Sequence, residues 1–274
     1  VSACLMRRTG LGALLATPMT SRTKRRWPSM GSADLIALFI SLGIALLLAF
    51  PLAKPLKAHP TPFYLAALVI VGVYVIAVGT GVDLNNCREL TFVLQKGYLS
   101  SFLLAIVMFT GCLDNTSALK HKWRPVRGEL SILSLIFILG HLFVFLPSYL
   151  TRLFGGSHLK ANVVASISVA LVLGVIFIVL GVTSFKSVRT RMNPKVWKNI
   201  QRFAYLMVAL YIVHVGFFLG GSAFGGSGKG VASFVVYAVL VVAYAVLRVW
   251  KAIRDKRAHA QQSETPAVAG VVSE

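Results

Sequence analysis

Two histidines stand where ionisable side chains are costly. His141 lies in Leu139-Gly140-His141-Leu142-Phe143 and His214 in Ile212-Val213-His214-Val215-Gly216, each well inside a long apolar stretch. An ionisable group at such a depth is a functional-site candidate, and it faces the interior of a helix bundle rather than lipid. Arg127 precedes His141 by 14 residues and Lys198 precedes His214 by 16. At 1.5 Å per residue these spacings place the imidazoles about 21 Å and about 24 Å from the same basic boundary. Two imidazoles at matched depth on helices running the same way are what a shared axial pair requires. A planar haem iron takes two trans imidazoles from facing helices, and bundle interiors are where such sites are built. Gly140 and Gly216 stand beside the two histidines, where small residues would let a macrocycle approach the backbone, although glycine also serves plain helix contacts. Hydrogen bonding between helices is the competing role for each histidine. Proton relay is weakened because no Asp or Glu lies deep in the apolar stretches.

Composition dictates what positions these residues. The 274 residues are 57% hydrophobic and 13% charged, with a mean hydropathy of +0.77, which is too apolar for a soluble domain of this length. Seven apolar stretches lie at about 33–50, 62–79, 97–111, 130–150, 161–183, 203–220 and 231–250, each near the length needed to cross hydrocarbon, with 97–111 the shortest. The reading is an all-α polytopic membrane protein. Little chain remains for a soluble flavin or nucleotide domain. The net charge of +20 therefore reads as membrane topology, with lipid as the partner and not nucleic acid.

Phe185 to Arg202 holds six Lys or Arg, Cys112 to Glu129 four, and Arg248 to Arg257 five. These regions lie two helices apart and share a side with Lys54 and Lys57. Retention of basic loops makes that side cytoplasmic, which places the chain in the cell membrane as a multi-pass protein with a cytoplasmic C-terminus. The basic N-terminal stretch, Arg7 to Arg26, conflicts with seven crossings. Our reading is that residues 1–29 form an over-extended or poorly ordered segment upstream of Met30; a re-entrant first helix, a translocated tail and a signal peptide over 1–20 are the alternatives. Gly220–Gly230 reads as a flexible outer loop, and the tail at 251–274 as basic and then disordered beyond Ala258.

Thr183-Ser184-Phe185, Val188-Arg189 and the run Trp197-Lys198-Asn199-Ile200-Gln201-Arg202-Phe203-Ala204-Tyr205 precede His214; Arg124-Pro125-Val126-Arg127-Gly128 leads into the His141 helix. This pattern, over roughly Tyr64 to Trp250, resembles the ferric reductase-like transmembrane domain family, in particular its small haem-binding membrane subunits of methionine-sulfoxide reductase systems. The resemblance implies a six-helix haem-binding bundle over 62–250, with one extra N-terminal transmembrane helix and its loop over 30–61, and b-type haem held by His141 and His214 as axial ligands of the iron, with electrons passed across or out of the membrane. Where two-haem members carry a further histidine pair, this chain has Gln201 and Arg127. One haem near the outer face is thus expected, with Gln201 hydrogen-bonded inside the bundle and His121 as the remaining candidate for an inner ligand. Without an inner haem, a lipid-soluble quinol is the preferred donor and a separate flavoprotein the other. Ferric iron or an extracytoplasmic redox protein or partner subunit is the expected acceptor. A haem-free transporter-like or scaffold subunit with structural histidines is the alternative.

The remaining residues have plainer roles. Arg124, Arg127, Lys198 and Arg202 could meet haem propionates, but basic-side anchoring explains them. His158 in the outer loop could bind metal, quinone or acceptor, although exposed loop histidines are usually only solvated. Tyr205 and Tyr211 could line a cofactor or simply pack. Cys87 and Cys112 fall on opposite faces and form no CxxC motif with Cys4. His59 and His259 carry no signal.

Overall fold

A computed structural model describes residues 32–155, 159–224 and 228–264. Among them every regular element is a helix. In chain order these are α1 (Ser32–Ala49), α2 (Ala53–Ala58), α3 (Pro60–Gly79), α4 (Arg88–Gln95), α5 (Tyr98–Thr110), α6 (Ala118–Trp123), α7 (Arg127–Phe154), α8 (Ala161–Val182), α9 (Lys186–Arg189), α10 (Pro194–Phe224) and α11 (Gly228–Glu264). Six spans are long and apolar enough to cross a membrane: 60–79, 85–110, 118–154, 161–182, 194–220 and 234–258. The chain is a multi-pass membrane protein. The N-terminal apolar helix is shorter, covering Asp34–Ala49, and it packs on α4 and α5.

The side chains follow the solvent. Large apolar residues such as Val69, Val73, Ile76, Val175 and Val239 lie on the outside, as expected where lipid replaces water. The main core joins α1, α3, α4, α5 and the first half of α7. A smaller cluster of Leu135, Phe177, Leu180 and Met207 couples α7 to α8 and α10. Alpha helices α8, α10 and α11 thus form a second group, with α7 as the hinge between groups.

Two contacts set the position of α7. Ser100 of α5 and Ser134 of α7 are fully buried and exchange bonds, Ser100 Oγ donating to Ser134 O at 2.9 Å and Ser134 Oγ to Ser100 O at 2.8 Å. On the other face, Gly181 of α8 meets Leu135 so closely that a Cβ there would lie 2.5 Å from Leu135 Cδ2 and 2.9 Å from its Cβ. Small and hydroxyl residues at such sites are how membrane helices gain contact when no water drives them together.

The basic segments gather at one end of the bundle, as their spacing predicted. Lys57 pairs with Glu129 at 2.9 Å, Trp197 Nε1 donates to Thr183 O at 3.0 Å, Arg248 donates to Gly111 O at 3.2 Å, and Arg254 pairs with Asp114. Cys87 and Cys112 sit at opposite ends of the 85–110 span, exposed and buried respectively. Burial pushes the Cys112 thiol up, away from thiolate chemistry.

The structure corrects several boundaries. The short 97–111 stretch is only the second half of a broken span that starts with α4, so Arg88 and Lys96 belong to it and not to a loop. The break comes from Gly97, whose φ of 66° no helix interior accommodates. Helix α10 begins at Pro194 and continues to Phe224, which shrinks the expected Gly220–Gly230 loop, and α11 runs on to Glu264, so the basic tail expected beyond 251 is helical to there. The N-terminal 1–29 segment, the 265–274 end and His158 lie outside the described residues.

Candidate functional site

Helices α7 and α10 run in the same direction from the basic end. His141 and His214 are both half-buried. Each imidazole is held by its Nδ1. His141 Nδ1 bonds Gln95 O at 2.6 Å, and His214 Nδ1 bonds Ser166 O at 3.0 Å. A carbonyl oxygen can only accept, so the proton sits on Nδ1 in both rings and the lone pair is left on Nε2. This is the outer-shell arrangement that orients metal-ligating imidazoles and raises their basicity.

The two carbonyls come from different local devices. Gln95 ends α4, and the turn at Lys96 and Gly97 takes its carbonyl out of the helical ladder: the Gly97 amide turns back to Leu94 O at 3.1 Å, and the Gly97 carbonyl instead receives Ser101 at 3.0 Å. Ser166 is fully buried in α8. Its Oγ lies 3.0 Å from His214 Nδ1 and 3.1 Å from His214 O, so it donates to the latter while crowding the former. One turn nearer the start of α8, Asn162 Nδ2 donates to Phe217 O at 3.1 Å.

Aromatic rings continue from one histidine to the other. His141 contacts Phe145 at 4.9 Å, Phe145 stacks on Tyr149 at 6.3 Å, Tyr149 meets Phe218 of α10 at 6.5 Å, and Phe218 stacks on His214 at 6.4 Å. Residues 141, 145 and 149 share one face of α7, and 214 and 218 share one face of α10. Phe145, Tyr149 and Phe218 all follow the histidines on their helices and so lie on the side away from the basic segments.

The fit to haem follows from these donors. Among the described residues no three His, Cys, Asp or Glu come together as a ligand set for a bare metal ion. Two imidazoles held through Nδ1, with Nε2 left free, instead suit a metal that carries four equatorial ligands of its own.

Other expected residues separate from the site. Gly140 faces α3, where a Cβ would lie 3.1 Å from Val71 Cγ1 and 3.7 Å from Tyr74 Cδ1; it serves helix packing and not cofactor approach. Gly216 has open space beside it. Gln201 donates to Thr183 Oγ1 at 3.1 Å at the basic end, the bundle hydrogen bond expected of it. His121 is exposed on α6, and His59 is exposed between α2 and α3. Arg124, Arg127, Lys198 and Arg202 stay at the basic end, where Arg202 donates to Asn199 Oδ1 at 3.2 Å. Tyr205 is bonded by Arg248 at that end, whereas Tyr211 bonds Ser101 Oγ at 2.8 Å one turn below His214 and packs on Tyr237 at 5.7 Å. Ser166 and the Gln95 carbonyl were missed by sequence reasoning. The first was visible as a hydroxyl in an otherwise apolar helix, the second as a Lys-Gly interruption before an apolar run.

Comparison with known proteins supplies one relative. The chain is 36% identical over 224 residues to a protein of Treponema pallidum (strain Nichols) described as uncharacterized, the match covering 81% of this chain and 62% of the relative. The chain therefore spans less than two thirds of that protein's length. No family model and no solved structure matches the sequence.

Proposed function

We propose that this chain is a transmembrane b-type cytochrome in which His141 and His214 are the axial ligands of one haem. The observation that carries the reading is the matched state of the two imidazoles: both are fixed through Nδ1 to a backbone carbonyl, which leaves the Nε2 lone pair free, and they stand on helices that run the same way and are joined by a series of contacting rings. The resemblance of the 183–214 segment to ferric reductase-like domains supports it.

When bound, a bis-imidazole haem supplies one-electron carriage with no open coordination position. The residues of this chain do the rest. The Gln95 carbonyl and Ser166 hold the ring planes. Phe145, Tyr149 and Phe218 keep water from one side of the pair. Gln201, engaged with Thr183, and Arg127 leave the basic end without a second imidazole pair, so a cytosolic donor would face most of the bilayer without a relay. A quinol entering from lipid is the favoured donor, a separate flavoprotein the other, and ferric iron or an extracytoplasmic redox protein the acceptor.

The test is a dithionite-reduced minus oxidised spectrum of the detergent-purified chain, with haem quantified per chain. One low-spin b-type haem, lost in both His141→Ala and His214→Ala, is the expected result. A colourless protein, or a spectrum indifferent to both substitutions, would leave the histidines as interhelical hydrogen bonders in a haem-free transporter-like or scaffold subunit.

A further inference from the structure

We infer that the ion pair between Asp34 and Lys96 is a positioning device for His141, by which the N-terminal helix α1 holds the imidazole. Its bearing on function rests on the reading of His141 as an axial ligand; its effect on the ring does not.

Asp34 is buried near the start of α1, and its carboxylate meets Lys96 Nζ. Lys96 is the first residue of the α4–α5 break. Its ammonium also lies over the Phe92 ring at 4.6 Å, so the side chain is folded back along α4 and not extended to an interface. The peptide bond between Gln95 and Lys96 is the one whose oxygen accepts the His141 Nδ1–H at 2.6 Å. Moving Lys96 therefore moves the acceptor. Gly97, the next residue, has the left-handed backbone that allows the break and lies against α7, where a Cβ would come 3.4 Å from Ile138 Cδ1. A break of this kind inside a span has few restraints of its own, since its carbonyl has left the helical ladder. The contact with α1 supplies one, because α1 also packs along α4 and α5 on either side of the break.

A charged pair within an apolar bundle costs desolvation and contributes little net stability over apolar residues of similar size. Its use lies in position: with Lys96 also held over Phe92, the pair tethers to the start of α1 the peptide that orients His141. Neither residue touches His141, so both act through the backbone.

The experiment uses the full chain as purified, labelled with 15N-histidine and reduced with dithionite, with the His141 resonance assigned by its loss in His141→Gln. The variants are Asp34→Asn and the apolar pair Asp34→Leu/Lys96→Met, the second chosen because it leaves no unpaired charge and retains the fold. Wild type is expected to give a single protonated Nδ1 resonance for His141. Both variants are expected to lose it, by a shift toward the free imidazole position or by splitting into several species, while the His214 resonance stays in place. An unchanged His141 resonance in the folded apolar pair overturns the proposal. Haem per chain and the midpoint potential are read on the same samples. A colourless wild type with the expected His141 changes overturns the cytochrome reading and upholds the positioning role. One haem per chain with an unchanged His141 resonance and an unshifted potential does the reverse.

Discussion

Ser166 grips His214 at two points, its carbonyl accepting from the imidazole Nδ1 at 3.0 Å while its hydroxyl donates to the histidine's own carbonyl at 3.1 Å. The side chain and the backbone of one residue thus fix both the ring and the helix that carries it. Ser166→Ala removes the hydroxyl and leaves the carbonyl. It is expected to cost about 1 kcal/mol of stability and to retain the reduced-minus-oxidised signal. Ser166→Leu forces α8 from α10 by overpacking, at about 1–3 kcal/mol, and the signal is expected to fall with it.

The contact of Gly181 with Leu135 leaves no room for a methyl group. Gly181→Ala is expected to destabilise the protein by about 1–3 kcal/mol, the usual range for overpacking a tight contact. Leu135→Ala in the same chain removes the Cδ2 clash but keeps the Cβ 2.9 Å away, so it is expected to recover only part of that loss. Thermal unfolding in detergent, followed by circular dichroism, measures both; additive losses would show that the two helices are not in contact there.

Ser100 and Ser134 bond each other reciprocally in a dry interface. Either serine replaced by alanine removes its own donated bond and the 3.0 Å contact between the two Oγ atoms, while the partner's hydroxyl keeps its bond to the backbone carbonyl. A double-mutant cycle is expected to give a coupling of roughly 0.6 kcal/mol, with about 1.7 as the upper end for such pairs in membranes. A coupling of zero in chemical unfolding would remove this pair as a determinant of the α5–α7 register.

The Tyr74 ring lies against Gly140, and its buried hydroxyl has no hydrogen-bond partner among the described residues. Burying an unmatched hydroxyl is unfavourable. Tyr74→Phe is therefore expected to hold or raise the melting temperature. A clear drop would reveal a partner for the hydroxyl.

Much of the architecture was legible because hydrocarbon imposes a simple rule: long apolar runs become helices and basic loops share an end. His141 and His214 stood out by the same rule, as groups too polar for their depth. Direction around the helix axis was not legible. Gly140 is adjacent to His141 in sequence, yet successive residues turn about 100° around a helix, which aims Gly140 at α3. Lys96 and Gly97 form a pair that usually ends an element. Here the helix restarts two residues later, at Tyr98, and the charge is absorbed by Asp34, far away in the chain. The Gln95 carbonyl carries no side-chain signature at all; only the broken backbone reveals it.

The two histidines belong to different halves of the bundle, His141 to the group built around α5 and α7 and His214 to the group of α8, α10 and α11. That division gives the chain an order of assembly. The first half can bury its core and fix His141 while the second is still being synthesised, and the opposing imidazole arrives only after α10 has entered the membrane. Any ligand that needs both rings is therefore captured late, and its capture adds to the contacts that already join the two halves at Gly181–Leu135, Ser101–Tyr211 and Arg248–Gly111.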